Sequence, residues 1–176
     1  MARAIFLDRD GVINRKLPEG QYITRWDQVK FFPDSAKAVR RIRDAGFLAV
    51  LVTNQRAIAK GFLSELDLQF LHERMWRELF QGEEGFDAVY YCPHEKHPPC
   101  QCRKPRPGML LKAAQDHGID LANSWMIGDS EADVEAGKAA GCRTIRIRSP
   151  RFRPATSADN VVKSLREAVG IVLEMQ

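Results

Sequence analysis

Five short apolar runs, AIFL (residues 4–7), FLAVLV (47–52), FDAVYY (86–91), WMIG (125–128) and CRTIRI (142–147), alternate along the chain with segments of helical period. Strands of four to six residues that each feed a helix describe a parallel sheet covered on both faces. The expected fold class is therefore α/β, a Rossmann-like parallel sheet with helices on both faces. The helical segments carry their own punctuation. After Pro33, Ala36, Val39 and Ile42 fall on one face, and Gly46 ends the run. Ser64 with Asp67 three residues on reads as a capping-box start for a helix bearing Leu68, Leu71, Met75 and Leu79. Two further helices are expected over 107–117 and 130–140, stopped by Gly118 and Gly141, and the tail VVKSLREAVGIVLEM reads as helical throughout. Residues 15–32 and 93–107 show no period of either kind.

At 176 residues the chain suits a single domain, 1–176, able to bury a core without covalent staples. Between Asp10 and Thr53 there is room for one helix and a long loop but not for a separate cap domain. The opening MARAIFLDRDG resembles neither a signal peptide nor a membrane span, so a cytoplasmic location and no membrane partner are expected. In that reducing compartment clustered cysteines serve more often as metal ligands than as disulfides. The formal net charge of +4 suits anionic small molecules as well as nucleic acid.

In open α/β sheets ligands bind outside the carboxyl ends of the strands. The residues at those ends are DRDG (8–11), TNQR (53–56), CRKP (102–105) and GDSEAD (128–133). They would gather Asp8, Asp10 and Asp129 at one edge, with Thr53 and Lys104 opposite. Three carboxylates so close cannot all remain ionised without a cation, and oxygen-only ligation calls for Mg²⁺. An aspartate after a strand is often only a helix cap, but four such strand ends in one chain are a more specific signal.

DRDGV, VTN, RKP and IGDSEAD, in that order, resemble the four motifs of the haloacid dehalogenase-like phosphatases, over nearly the whole chain. The resemblance implies that Asp8 is the nucleophile and Asp10 the acid/base. It also implies Mg²⁺ held by Asp8, the Asp10 carbonyl and Asp129, with Thr53 and Lys104 on the transferring phosphoryl oxygens. Asp133 is expected to support Lys104 or to cap the following helix rather than to bind metal.

One stretch stands outside that pattern. CPHEKHPPCQC (92–102) has the order Cys-x-His-x5-Cys-x-Cys, and three thiolates with one imidazole complete a tetrahedral structural Zn²⁺ site. Its ligands would be Cys92, His94, Cys100 and Cys102, although spacing alone also admits His97. A zinc-binding loop here would brace irregular backbone and fix Arg103 and Lys104, which follow it directly. Cys142, the remaining cysteine, reads as a core residue.

A zinc loop joined to DRDGVIN, TNQ and CRKPRPGMLL looks like the D-glycero-D-manno-heptose 1,7-bisphosphate 7-phosphatases, with the histidinol-phosphate phosphatases as close relatives. QRAIAKG stands where the heptose enzymes typically read Ser-Gly-Ile-Ala-Arg-Gly after the glutamine, so Arg56 and Ala57 depart from the pattern. The resemblance implies removal of the C7 phosphate of a heptose bisphosphate, toward nucleotide-activated heptose and lipopolysaccharide. Without a cap, selection of this sugar phosphate would fall to loops bearing Lys16, Tyr22, Asn54, Gln55, Arg56 and Arg103. The chain is expected to be monomeric and to bind no nucleic acid. The competing readings are a histidinol-phosphate phosphatase of histidine biosynthesis and, from a different class, a zinc-stabilised nucleic-acid module using Arg143, Arg146, Arg148, Arg151 and Arg153. The module has only Phe152 as an interleaved aromatic and leaves the three aspartates without a role. A receiver-like phosphoacceptor domain would share the sheet and one aspartate but would need no acid at Asp10.

Overall fold

The computed structural model describes residues 1–148 and 155–175. Six parallel strands form one sheet: β1 (Arg3–Leu7), β2 (Phe47–Asn54), β3 (Ala88–Cys92), β4 (Trp125–Gly128), β5 (Arg143–Ile147) and β6 (Asn160–Val162). Their spatial order is β3-β2-β1-β4-β5-β6. The helices α1 (Ser35–Asp44), α2 (Glu65–Phe80), α3 (Gly108–His117), α4 (Glu131–Ala140) and α5 (Leu165–Glu174) connect them or follow the last. The chain reverses its winding between β1 and β4, which pair directly, Leu7 opposite Ile127. A crevice opens beyond the strand ends at such a switch point.

Alternation along the strands divides the core in two. Ile5 and Leu7 point to the face covered by Val39 and Ile42 of α1 and by Val169 and Val172 of α5. Ala4 and Phe6 point to the other, against Leu110 and Ala113 of α3 and Ala136 of α4. Side chains of period two between two helical layers make each strand apolar on both sides, and full burial of each Leu or Ile contributes about 1.5–3 kcal/mol.

Two boundaries differ from those read in the sequence. The tail does not begin as helix: Val161 pairs with Arg146 and Val162 with Ile147, as β6. The open edge of β5 supplies ladder partners for this β-branched pair, and α5 begins only after Ser164, whose side chain accepts from the Glu167 N–H. The third strand starts at Ala88 rather than Phe86, whose ring packs edge-on against Trp76 and Phe80 instead. The buried face of α2 holds Leu68, Leu71 and Met75 as expected, with His72 and Phe80 added. Among the described residues no helix is long and apolar enough to cross a membrane.

Close packing of α4 on the sheet requires glycine at 137. A Cβ there would lie 2.6 Å from Met126 Cβ and 2.8 Å from Thr144 Cγ2. Alanine is the better helix former by about 1 kcal/mol, whereas overpacking costs about 1–3 kcal/mol. Met126 Cβ is fixed to the backbone and cannot rotate away, so overpacking wins. Gly137→Ala is expected to lower the denaturant midpoint, and Gly137→Val to lower it further; an unchanged or raised midpoint for the alanine variant would contradict this packing.

Candidate active site

Asp8 stands one residue past β1, its N–H still donating to the Ile127 carbonyl at 3.0 Å, so the sheet itself sets its position. Asp129 follows β4 in the same way. Oxygens of Asp8, Asp129 and Asp133 lie within 4.8 Å of one another, all three residues buried. Gly11 allows this approach: its φ is +104°, and a Cβ would meet Asp129 Oδ2 at 2.4 Å. Burial, with repulsion from Asp133, Asp129 and Asp10, outweighs the attraction of Lys104 and pushes the Asp8 carboxyl up to about 7. Burial likewise raises Asp129.

Lys104 reaches into this cluster from the end of the cysteine-rich loop. Its ammonium donates to Asp8 Oδ1 at 2.8 Å and to the Val52 carbonyl at 2.8 Å, and it pairs with Asp133 Oδ1 at 2.6 Å. Those are all three donors an ammonium has. Burial opposes its charge, but Asp133 and Asp8 more than compensate and raise its pKa. Asp133 fills both roles suggested for it: besides holding Lys104, its Oδ2 accepts from the N–H and hydroxyl of Ser130 and closes a capping box on α4. Burial would raise its pKa, yet the Lys104 charge and these hydrogen bonds leave it lowered. With its oxygens so engaged, Asp133 belongs to Lys104, and Asp8 and Asp129 are the carboxylates that face a common space.

Asp10 corrects the expected grouping. Its carboxylate is not part of the Asp8–Asp129–Asp133 cluster but turns to Arg9 Nε and Nη2 at 3.1 and 2.9 Å, Asn14 Nδ2 at 2.8 Å and Gln55 Nε2 at 3.4 Å. The physical reason is the guanidinium: Arg9 is 1% exposed, and a buried charge must be paired. Burial alone would raise Asp10; the Arg9 charge and the hydrogen bonds from Arg9, Asn14 and Gln55 lower it. Asn14 Oδ1 is buried with no hydrogen-bond partner among the described residues, while the Nδ2 of the same amide donates to both Asp10 and the Arg15 carbonyl. The sequence pattern had not singled out Arg9, Asn14 or His72, the second side-chain partner of Arg9. A histidine on the apolar face of α2 was the one available signal.

Thr53 is 1% exposed and its hydroxyl accepts from Gln55 Nε2 at 2.8 Å. Asn54 is directed at the neighbouring loop: its Nδ2 donates to the Lys104 carbonyl and its Oδ1 accepts from the Lys104 N–H, both at 3.1 Å. Lys16, on the loop after β1, extends its ammonium to Asp129 at 3.2 Å. Arg56 pairs with Glu95, and Arg103 Nη1 donates to the His94 carbonyl at 3.2 Å. Tyr22 packs on the Ala57–Leu63–Leu68 cluster and tilts against Phe62 at 6.0 Å. Of the arginines in the nucleic-acid reading, Arg146 is buried and paired with Glu131 and Arg143 lies over Trp125. Arg151 and Arg153, with Phe152, lie outside the described residues.

Cys92, His94, Cys100 and Cys102 converge, and His94 rather than His97 is the fourth member. The Cys92–Cys100 and Cys100–Cys102 sulfurs are 3.6 and 3.5 Å apart, and His94 Nδ1 lies 3.5 and 3.2 Å from those of Cys92 and Cys102. A tetrahedron around Zn²⁺, with bonds of about 2.3 Å to sulfur and about 2.0 Å to nitrogen, has edges of roughly 3.8 Å between sulfurs and roughly 3.5 Å from nitrogen to sulfur. The separations lie within a few tenths of an ångström of those figures and far outside the ~2.05 Å of a disulfide; all four cysteines are free thiols. Cys142 is 6% exposed, in the core.

Residues 101–168 match the HAD-hydrolase-like family. The D-glycero-β-D-manno-heptose-1,7-bisphosphate 7-phosphatase of Pseudomonas aeruginosa is 38% identical over 151 residues, covering 85% of this chain and 83% of that one. The enzyme of the same name from Escherichia coli K12 is 38% identical over 186 residues, 98% of this chain and 95% of its own. Among solved structures, the D,D-heptose 1,7-bisphosphate phosphatase from B. bronchiseptica, complexed with magnesium and phosphate, superposes with a TM-score of 0.89 at 31% identity, over 99% of both chains. With identity of this order sustained along almost the whole sequence and the same backbone beneath it, the chain belongs to the heptose-1,7-bisphosphate 7-phosphatase family of HAD-like hydrolases.

Proposed function

We propose that the chain is a Mg²⁺-dependent phosphatase that removes the C7 phosphate of D-glycero-D-manno-heptose 1,7-bisphosphate. The observation that carries the reading is the carboxylate of Asp8, set at the switch point of the sheet between the Lys104 ammonium and the Asp129 carboxylate. The relatives that share this chain's length carry that activity in their names.

The donor set fits the metal. Asp8 and Asp129 offer hard oxygens in a buried cluster where Asp8 is pushed up to about 7, so a divalent cation would restore the charge balance that both carboxylates need. Mg²⁺ held by Asp8, Asp129 and the Asp10 carbonyl would neutralise charge on the transferring phosphoryl group. Asp8 attacks phosphorus, forming a carboxylate O–P bond as the bond to the C7 oxygen breaks, and Asp10, ionised in the free protein because of its pairing with Arg9, relays to that oxygen a proton carried in by the phosphate monoester. Asp10 then takes a proton from water, whose oxygen displaces Asp8 and releases inorganic phosphate. Lys104 passes its bond from Asp8 to a phosphoryl oxygen while Asp133 and Val52 hold the ammonium in place, and the Thr53 hydroxyl supports another.

Cys92, His94, Cys100 and Cys102 would hold a structural Zn²⁺ and leave it no ligand position for substrate, so the part of this loop is to place Arg103 and Lys104. Arg103 is the candidate for the phosphate that Asp8 leaves untouched, since its backbone is fixed by the loop. Arg56 is the alternative, now tied to Glu95.

Asp8→Asn is expected to abolish phosphate release, since an amide forms no acyl phosphate, and Asp10→Asn to lower kcat by roughly 10²–10⁴-fold. Near-normal turnover by a folded Asp8→Asn protein would reject the mechanism. Chelating one zinc per chain should raise KM and lower Tm together, both restored by Zn²⁺ and not by Mg²⁺. Protein purified without chelator that contains no zinc on elemental analysis would rule this out. Arg103→Ala should lower kcat/KM for the bisphosphate about 10- to 100-fold, the worth of a charge-assisted contact, and much less for a small monophosphate. Equal losses on both would move Arg103 to the transferring phosphoryl group.

A further inference from the structure

Arg9 and His72 take no part in the chemistry assigned above, yet Arg9 is among the largest fully buried side chains of the protein. Its Nε and Nη2 grip both oxygens of Asp10, a fork that fixes a carboxylate in position and in plane. That leaves the other edge of the guanidinium to be held. Arg9 Nη1 lies 3.1 Å from Nε2 of His72, which α2 brings up from the far side. A guanidinium only donates, so Nε2 accepts, the ring proton sits on Nδ1 and the imidazole is neutral. Burial and the Arg9 charge agree with this, holding His72 at about 3.

Ile13, Leu51, Met75 and Trp76 surround Arg9 and His72 with apolar side chains, which offer the guanidinium no polar partner. The imidazole is set in turn by an edge contact with Trp76, the ring centroids 5.1 Å apart at 88°. A leucine would fill the same helix position beside Leu71 and Met75 at less cost in buried polarity, but it would leave Nη1 without an acceptor. The contacts thus run from Trp76 through His72 and Arg9 to the carboxylate that the mechanism needs in one place.

Resting on the reading of Asp10 as the acid/base, we infer that His72 is a positioning residue, orienting Arg9 so that Arg9 holds the Asp10 carboxylate for proton transfer to the leaving oxygen and from the attacking water. His72 touches neither substrate nor metal. Its contribution therefore falls on kcat, with KM for the bisphosphate little changed.

The test compares His72→Leu, which keeps volume and loses the acceptor, with His72→Gln, which keeps an acceptor. Both are assayed as Mg²⁺- and Zn²⁺-loaded protein at a temperature where circular dichroism shows them folded. Asp10→Asn is measured first: wild-type turnover in that variant would overturn the assignment of Asp10 itself, separately from the role of His72. Given a defective Asp10→Asn, His72→Leu should lose up to ~100-fold in kcat, as a misplaced group does, and His72→Gln should restore most of it. A second readout uses an aryl phosphate, whose leaving group needs no proton. His72→Leu should release a burst of phenolate stoichiometric with enzyme and then turn over slowly, because attack by Asp8 proceeds while hydrolysis still waits on Asp10. Wild-type kcat in His72→Leu, equal losses in the leucine and glutamine variants, or a kcat loss with no burst would each overturn the inference.

Discussion

A lysine ammonium buried between two aspartates, with one backbone carbonyl as its third partner, is the interaction on which the rest of this structure depends. Lys104 draws together the end of β1 through Asp8, the end of β2 through Val52 and the first turn of α4 through Asp133. Removing one member of such a buried pair costs about 3–5 kcal/mol, because the other is left charged and unsolvated. The same pairing prepares the chemistry: Asp133 and Val52 locate the cation, and Asp8 shares it with whatever anion arrives.

Lys104 sits on backbone without regular structure, so its position has to be imposed from outside. Three contacts impose it. The Asn54 amide makes two hydrogen bonds to the Lys104 main chain, the Gln55 N–H donates to the Cys92 carbonyl, and the cysteine–histidine cluster draws the loop's two ends together. Arg103 and Arg106 add side-chain bonds to the His94 and Cys100 carbonyls. The turn after β2 and the loop after β3 thus behave as one unit, with Arg56–Glu95 as a further clasp. Asn54, within TNQR, braces the catalytic loop through its amide.

Much of the architecture was legible because strand and helix periods are local properties. The apolar faces of α1 and α2, the Ser64 capping box, the glycine stops at 118 and 141 and the aspartates at strand ends all follow from residues close in sequence. What was not legible is non-local. Val161 and Val162 suit a strand or a helix equally, and only the open edge of β5 decides between them. His94 and His97 satisfy the ligand spacing alike, and only the fold of the loop selects His94.

The sequence by itself determined the layers, the strand ends and the inventory of chemistry: three aspartates, a threonine and a lysine at one edge, and four soft ligands in one loop. Tertiary structure alone decided how those groups pair, since pairing depends on which buried charges lack water and must find each other. Asp133 stands in the carboxylate cluster with Asp8 and Asp129, but its oxygens are taken by Lys104 and Ser130. Asp10 lies two residues from Asp8, yet its carboxylate stays outside the Asp8–Asp129–Asp133 cluster, because Arg9 between them is buried and meets its charge requirement there. His72 is separated from Arg9 by α1, β2 and the first half of α2 in the chain and stands 3.1 Å from it in space. No local pattern contains that distance; it follows from the tertiary packing of α2, whose Phe80 shares a core cluster with Ile13 and Leu51.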